Sequence, residues 1–252
     1  MNARHGFRLL LLSALAWAAP SGAQAQALDS LLWVSEEAPP YHYLKDGVPT
    51  GIAVDVLARM QDLLGSQQSP PDIRFLPWAR ARYMALHQPG TCLFAQPASD
   101  EERQGLAYVG PLLDTRIAII VPTQRADDIS GPRDLAALTV GVVRDSAAEE
   151  LLAATGVPAR IIRTDSPRTL VRMLAGGRFD AIAYLPQAAA RSLQQEGIVT
   201  TAYRPVFTLH EGTIGYACHR DTDPALIARM RNALERLHAD GTVENIRRHY
   251  ER

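Results

Sequence analysis

One order of elements, strand-helix-strand-helix-strand, is written twice along this chain, and it constrains the fold more than any other feature. The first copy opens with the apolar run Leu31-Leu32-Trp33-Val34, a buried strand. Apolar residues at Ala53, Val56, Leu57, Met60, Leu63 and Leu64 then fall on one helical face. Gly65 and the Ser69-Pro70-Pro71 loop end that helix. Ile73 to Leu76 reads as the second strand, Ala79 to His87 as the second helix and Cys92 to Ala95 as the third strand. The second copy runs Leu138 to Val143 as strand, Ser146 to Ala154 as helix, Arg160 to Arg163 as strand, a helix from Ser166-Pro167, and Phe179 to Leu185 as strand. Ser146 and Glu149 form an S-x-x-E capping box. Two such units predict an α/β protein with two parallel sheets and right-handed crossovers.

Each copy is small for an independent domain, so further elements complete them. Ile117 to Val121 predicts a strand linking the units, and Thr213 to Cys218 one returning from the second. A helix from Pro224 to His238, N-capped by Asp223, and a short helix from about Val243 close the chain. The expected division is a first lobe over residues 26–115 and 209–252 and a second over 116–208. The two linking strands would act as hinges.

The N-terminus belongs to neither lobe. Arg4 and Arg8 precede the apolar run Leu9 to Ala19, followed by Pro20, Gly22 and the small-residue exit Ala23-Gln24-Ala25-Gln26-Ala27. These are the parts of a secretory signal peptide, assigned to residues 1–25, which predicts export to the periplasm. With 26 basic and 27 acidic residues the formal charge is −1, so no global field favours nucleic acid or an anionic membrane. Cys92 and Cys218 are the two cysteines, too far apart in sequence for a recognisable metal motif. After export they stand either as one disulfide or as two buried thiols.

In open parallel α/β sheets ligands lie beyond the carboxyl ends of the strands. That rule selects Ser35, Glu36 and Glu37, then Pro77 and Trp78, then Ala95, Gln96 and Pro97 from the first copy. From the second it selects Arg144, Asp145 and Ser146, then Asp165 and Ser166, then Tyr184 and Leu185. Trp78 offers an aromatic face. The helix start at Ser146 offers free N–H groups suited to a carboxylate, although Asp145 and Glu149 oppose an anion there. No catalytic motif is present, and no cofactor or metal is called for. The seven histidines sit apart and read as surface or loop residues. Glu36 and Glu37, adjacent at a strand end, point opposite ways.

The stretch Leu32 to Tyr41, with its Pro-aromatic pair, followed by Gly51-Ile52-Ala53-Val54-Asp55, resembles the opening of the family 3 extracellular solute-binding proteins, the polar amino-acid receptors of ABC importers. Ser99 to Arg103, Asp134 to Ser146, Gly177 to Ala181 and Asp240-Gly241-Thr242 are similar to further motifs of that family, in the right order. The resemblance implies a two-lobed periplasmic-binding-protein type II fold and a monomer that delivers a small, carboxylate-bearing solute to an ABC permease in the inner membrane. It implies that Arg103 grips the carboxylate, that Trp78 lies against the ligand, and that Ser146 and Ala147 help at the helix start. Tyr41, Gln96 and the Ser35–Glu37 stretch join this expected binding set. It also places the strand holding Cys218 beside that holding Cys92, which implies a disulfide between them.

One departure stands out. Where amino-acid receptors place an acidic residue after the G-x-x-D-A motif to hold the α-ammonium, this chain has Leu185. Either Glu36, Glu37 or Asp165 substitutes, or the ligand lacks that ammonium. Two other roles on the same fold compete with transport: a periplasmic dehydratase acting on cyclic carboxylic acids, and a ligand-sensing module for a membrane partner.

Overall fold

The computed structural model describes residues 28–68, 71–97 and 105–250; for Ala95, Gln96 and Pro97 it describes the backbone alone. The expected signal peptide lies outside the described residues. The first copy of the repeat appears as β1 (Leu32–Ser35), α1 (Ile52–Leu64), β4 (Ile73–Phe75), α2 (Trp78–His87) and β5 (Thr91–Pro97). Between β1 and α1 lies a hairpin, β2 (Tyr43–Lys45) and β3 (Val48–Thr50), that the sequence pattern did not reveal. The second copy appears as β7 (Thr139–Val143), α3 (Ala147–Ala154), β8 (Arg160–Thr164), α4 (Pro167–Ala175) and β9 (Ala181–Tyr184). A further helix, α5 (Pro186–Gln195), follows it.

The internal repetition is visible in the topology. In each copy the first strand lies centrally, with the second and third strands parallel to it on either side, β4-β1-β5 and β8-β7-β9. Two strands of 16 residues each, β6 (Ala107–Pro122) and β10 (Tyr203–Cys218), join the triplets, pairing antiparallel with each other along most of their length. β10 also pairs with β5, and β6 with β9. The expected pair of separate sheets is therefore one hydrogen-bonded sheet of eight strands, order β4-β1-β5-β10-β6-β9-β7-β8. Sequence reading had placed only the apolar ends of β6 and β10; the rest of β6 is broken by Gly110-Pro111 and the polar Asp114-Thr115-Arg116, and the rest of β10 mixes polar and apolar residues.

Packing follows from the apolar stripes. α1 and α6 (Pro224–Ala239) bury Val56, Leu57, Met60, Met230 and Leu234 against the first triplet. Trp33, Phe94 and Tyr216 meet there edge to face, centroids 5.2–5.7 Å apart. A second core of Ile119, Val121, Val140, Val142, Leu152 and Ala183 backs the other triplet. A third, including Val34, Leu93, Ile120, Phe179 and Tyr184, draws on both.

Two positions of the family-like opening motif prove architectural. Gly51 has φ 131°, and a Cβ there would stand 2.4 Å from the Tyr41 carbonyl oxygen, so the turn into α1 admits only glycine. Its N–H donates to the hydroxyl of Tyr250 in α7 (Thr242–Tyr250), and that hydroxyl donates to Asp55 Oδ2 at 2.8 Å. The last helix is thus fastened to the first. Tyr250→Phe is expected to cost about 1 kcal/mol in urea unfolding, since it removes one hydroxyl that serves two partners; an unchanged midpoint would dissociate the two helices' stabilities. Cys92 and Cys218 are directly opposed in the β5–β10 ladder and are bridged.

Candidate functional site

The carboxyl ends of the two parallel triplets face a common hollow. Its wall is formed by Glu36 just past β1, Tyr41 and His42 from the loop that follows, Trp78 at the start of α2, Ser146 to Ala148 at the start of α3, and Tyr184 and Leu185 at the end of β9. The two long strands supply the floor: Thr115 and Ile117 from β6, and His210 and Gly212 to Ile214 from β10. The cavity has about 60 Å³ of water-accessible space, room on the order of four waters.

Seven of the residues picked out from the sequence meet here: Glu36, Tyr41, Trp78, Ser146, Ala147, Tyr184 and Leu185. Glu37 turns away, as alternation at a strand end requires, and its Oε2 accepts from the Leu44 N–H at 3.1 Å. Asp165 also stays out of the cavity. Its side chain is exposed, pairs with Arg144 at 3.2 Å, and borders a neighbouring groove shared with Glu36, Glu37 and Arg168. Arg103 lies outside the described residues, as does the side chain of Gln96. Sequence reading missed His42, His210 and Thr115. Of the histidines read as surface or loop residues, His42 and His219 lie off the surface, 1% and 6% exposed, and His42 lines the cavity. The one available signal was its place directly after the Pro39-Pro40-Tyr41 turn that the chain folds into the cleft.

The helix start behaves partly as predicted. Ser146 caps α3, its hydroxyl accepting from the Glu149 N–H at 3.4 Å. The reciprocal arm of the box lands one residue early, because Glu149 Oε2 accepts from the Asp145 N–H instead. Asp145 adopts φ 56°, which turns its amide toward Glu149. Glu149 is further neutralised by Arg163, 2.5 Å away. The opposing charge foreseen from sequence is thus occupied, and the first-turn amides of Ala147 and Ala148, which an α-helix cannot satisfy internally, stand at the cavity wall.

Bonds run from α2 to the start of α3 beside the hollow. Trp78 Nε1 donates to the Asp145 carbonyl at 2.9 Å, Arg82 Nη1 donates to the same oxygen at 3.2 Å, and Arg82 Nη2 meets Glu150 Oε1 at 3.1 Å. The triplets are held together around the cavity by these contacts. Arg80, one turn position away, is exposed.

Electrostatically the pocket is governed by burial. Desolvation pushes the Glu36 carboxyl up to about 8 and the His42 imidazole down to about 4, with its bond to the Glu36 carbonyl acting the other way. The Tyr184 phenol is raised well above its ordinary value by burial, then by the nearby Glu36 and Tyr41. Among the described residues no group of His, Cys, Asp and Glu could hold a metal ion, and no helix is long and apolar enough to cross a membrane.

Residues 32–252 match the model of the bacterial extracellular solute-binding proteins, family 3. No curated protein matches the sequence significantly. Among solved structures, the fold is similar to a histidine kinase sensor domain with similarity to periplasmic binding proteins, at 22% identity and TM-score 0.75 over 87% of this chain and 95% of that one. It is similar to a mutant of ArgBP from T. maritima, at 18% identity and TM-score 0.76 over 89% and 98% of the two chains. The arginine-, lysine-, histidine-binding protein ArtJ from the thermophilic bacterium Geobacillus stearothermophilus gives 16% identity and TM-score 0.74 over 87% and 94%. Superpositions of this quality establish the two-lobed α/β fold.

Proposed function

We propose, from the chain's membership in family 3 of the bacterial extracellular solute-binding proteins, that it captures a small amino acid or related carboxylate between its lobes and delivers it to an ABC permease. The observation that carries this reading is the convergence of both triplets' strand ends on one buried hollow. The lobes would comprise residues 26–115 with 209–252, and 116–208, with β6 and β10 as hinges. A ligand that touches both favours the shut state, because only differential affinity shifts such an equilibrium. Trp78 and Arg82 on one side and Asp145 and Glu150 on the other would close over it. The amides of Ala147 and Ala148 suit a carboxylate, with Arg103 as its expected partner. Export by the N-terminal signal would place the protein in the periplasm, working as a monomer.

A thermal-shift screen of amino acids, polyamines and small carboxylates tests this. A ligand at a hundredfold excess over its Kd adds roughly 2.7 kcal/mol to stability, and Trp78→Ala is expected to weaken that ligand about tenfold, in keeping with the loss of one aromatic contact face. A screen without a single stabilising compound would sink the proposal. A sensor role has one point in its favour, the likeness to a histidine kinase sensor domain. Stimulation of permease ATP hydrolysis by loaded protein, in vesicles, separates delivery from reporting.

A further inference from the structure

Among the described residues, four buried polar atoms in the cavity wall have no hydrogen-bond partner: Glu36 Oε2, His42 Nε2, Thr115 Oγ1 and Tyr184 Oη. A buried polar group left unpaired is costly, so four around one hollow mark where a ligand's polar end belongs. Their characters can be assigned. His42 Nδ1 lies 2.8 Å from the Glu36 carbonyl oxygen, which can only accept, so Nδ1 carries the proton and Nε2 presents a lone pair. Among the described residues the cavity wall contains no lysine or arginine.

The charged and titratable neighbours of Glu36 among the described residues fall in two groups. Tyr41, His42, Tyr184 and His210 share its cavity. In the adjoining groove Glu37 is engaged by the Leu44 amide, Asp165 by Arg144, and Arg168 by Glu196. Among the described residues none of these offers Glu36 a positive partner. Buried away from water, the acid is displaced upward to about 8 and keeps its proton at neutral pH, and the pocket is lined by the aromatic side chains of Tyr41, Trp78 and Tyr184, a ring type that attracts cations.

We infer that the solute carries a positively charged group that seats against the Glu36 carboxyl, and that its capture expels the proton Glu36 holds in the unliganded cleft. This rests on the reading of the cleft as a binding site. In the balanced step the Glu36 O–H bond breaks, its proton passes to solvent, and the carboxylate left behind pairs with the incoming ammonium or guanidinium. The arrangement departs from one with a standing acid on the opposite lobe: Leu185 occupies that side, so the recognising carboxyl is supplied by the end of β1 and is switched on by the ligand itself.

Calorimetric titration with agmatine, 2-phenylethylamine, L-arginine and L-lysine, set against 2-phenylethanol and benzoate, tests this. At least one cation is expected to bind, releasing close to one proton at pH 7, read as a difference in heat between phosphate and Tris buffers. Its association constant should rise about tenfold from pH 6 to pH 7 and level off above about pH 8. In Glu36→Gln both the proton release and the pH dependence should vanish; the proton count in the unaltered protein needs no variant. Equal heats in the two buffers, a flat affinity between pH 6 and 8, or binding by 2-phenylethanol or benzoate alone would overturn the inference and leave the binding function standing. A panel in which no cation binds, beside a thermal-shift screen that finds another ligand, would overturn the inference alone; silence in both would overturn the binding function as well.

Discussion

Replacing Cys92 and Cys218 together by alanine is expected to lower the unfolding free energy by about 4 kcal/mol and the Tm by roughly 10 °C. The bridge joins positions 126 residues apart. It therefore forbids the denatured chain a very large set of open conformations, and loop-closure entropy for a loop of this order is worth a little under about 5 kcal/mol. Both sulfurs are fully buried within the core around Trp33, Phe94 and Tyr216, so truncation also leaves a small void. The bond sits where β10 returns from the second triplet to β5 of the first, and neither cysteine borders the cavity. Stability should fall while ligand affinity at 20 °C is preserved. Urea titration of the double variant measures the loss, and a change below about 1 kcal/mol would mean that the ladder alone fastens this seam.

The sequence made the repeat legible because each copy writes its strands as continuous apolar runs and its helices as single-face stripes. Doubly covered parallel strands and amphipathic helices have no other way to bury themselves. The cavity was legible to the extent that it is a property of topology: strand ends converge, so Glu36, Trp78, Ser146 and Tyr184 could be chosen from their places in the pattern. What escaped follows from the same logic. The floor residues Thr115 and His210 lie in the polar stretches Asp114-Thr115-Arg116 of β6 and His210-Glu211 of β10, which read as breaks between strands rather than parts of them. α5, with three alanines and a leading proline, has a weak apolar stripe and was passed over. His42 was misjudged because burial of a histidine depends on a loop folding back, which no local pattern encodes. Asp165 was drawn to the site by its strand-end position, yet its side chain found Arg144 at the surface. Joining of the two sheets into one depends on the length of two strands, and strand ends are where sequence patterns carry least information.

Between pH 6.5 and pH 8 the protein's stability should fall by about 2 kcal/mol, and Glu36→Gln should abolish that fall. Glu36 is raised from 4.5 to about 8 on folding. The folded state therefore holds a proton that the unfolded chain releases, so its stabilising effect is complete below about pH 4.5 and is lost as pH rises to about 8. His42 is lowered from 6.5 to about 4. There the unfolded chain binds the extra proton, so stability grows as pH rises from about 4 to 6.5 and is constant above. Each contributes a slope of about 1.4 kcal/mol per pH unit in its window. From 4.5 to 6.5 the two slopes oppose and nearly cancel; from 6.5 to 8 Glu36 acts alone. The lowered carboxyls Asp134, Asp240 and Glu244 titrate below this range and do not enter it. Urea unfolding at half-unit steps should give a plateau, a decline and a second plateau for the natural chain. The Glu36→Gln chain should show a rise up to pH 6.5 and no decline after it. A natural profile flat from 6.5 to 8 would mean that Glu36 is already ionised in the empty cleft, with a counter-charge beside it. The proton-releasing capture of a cation would fall with it, since no proton would be there to expel.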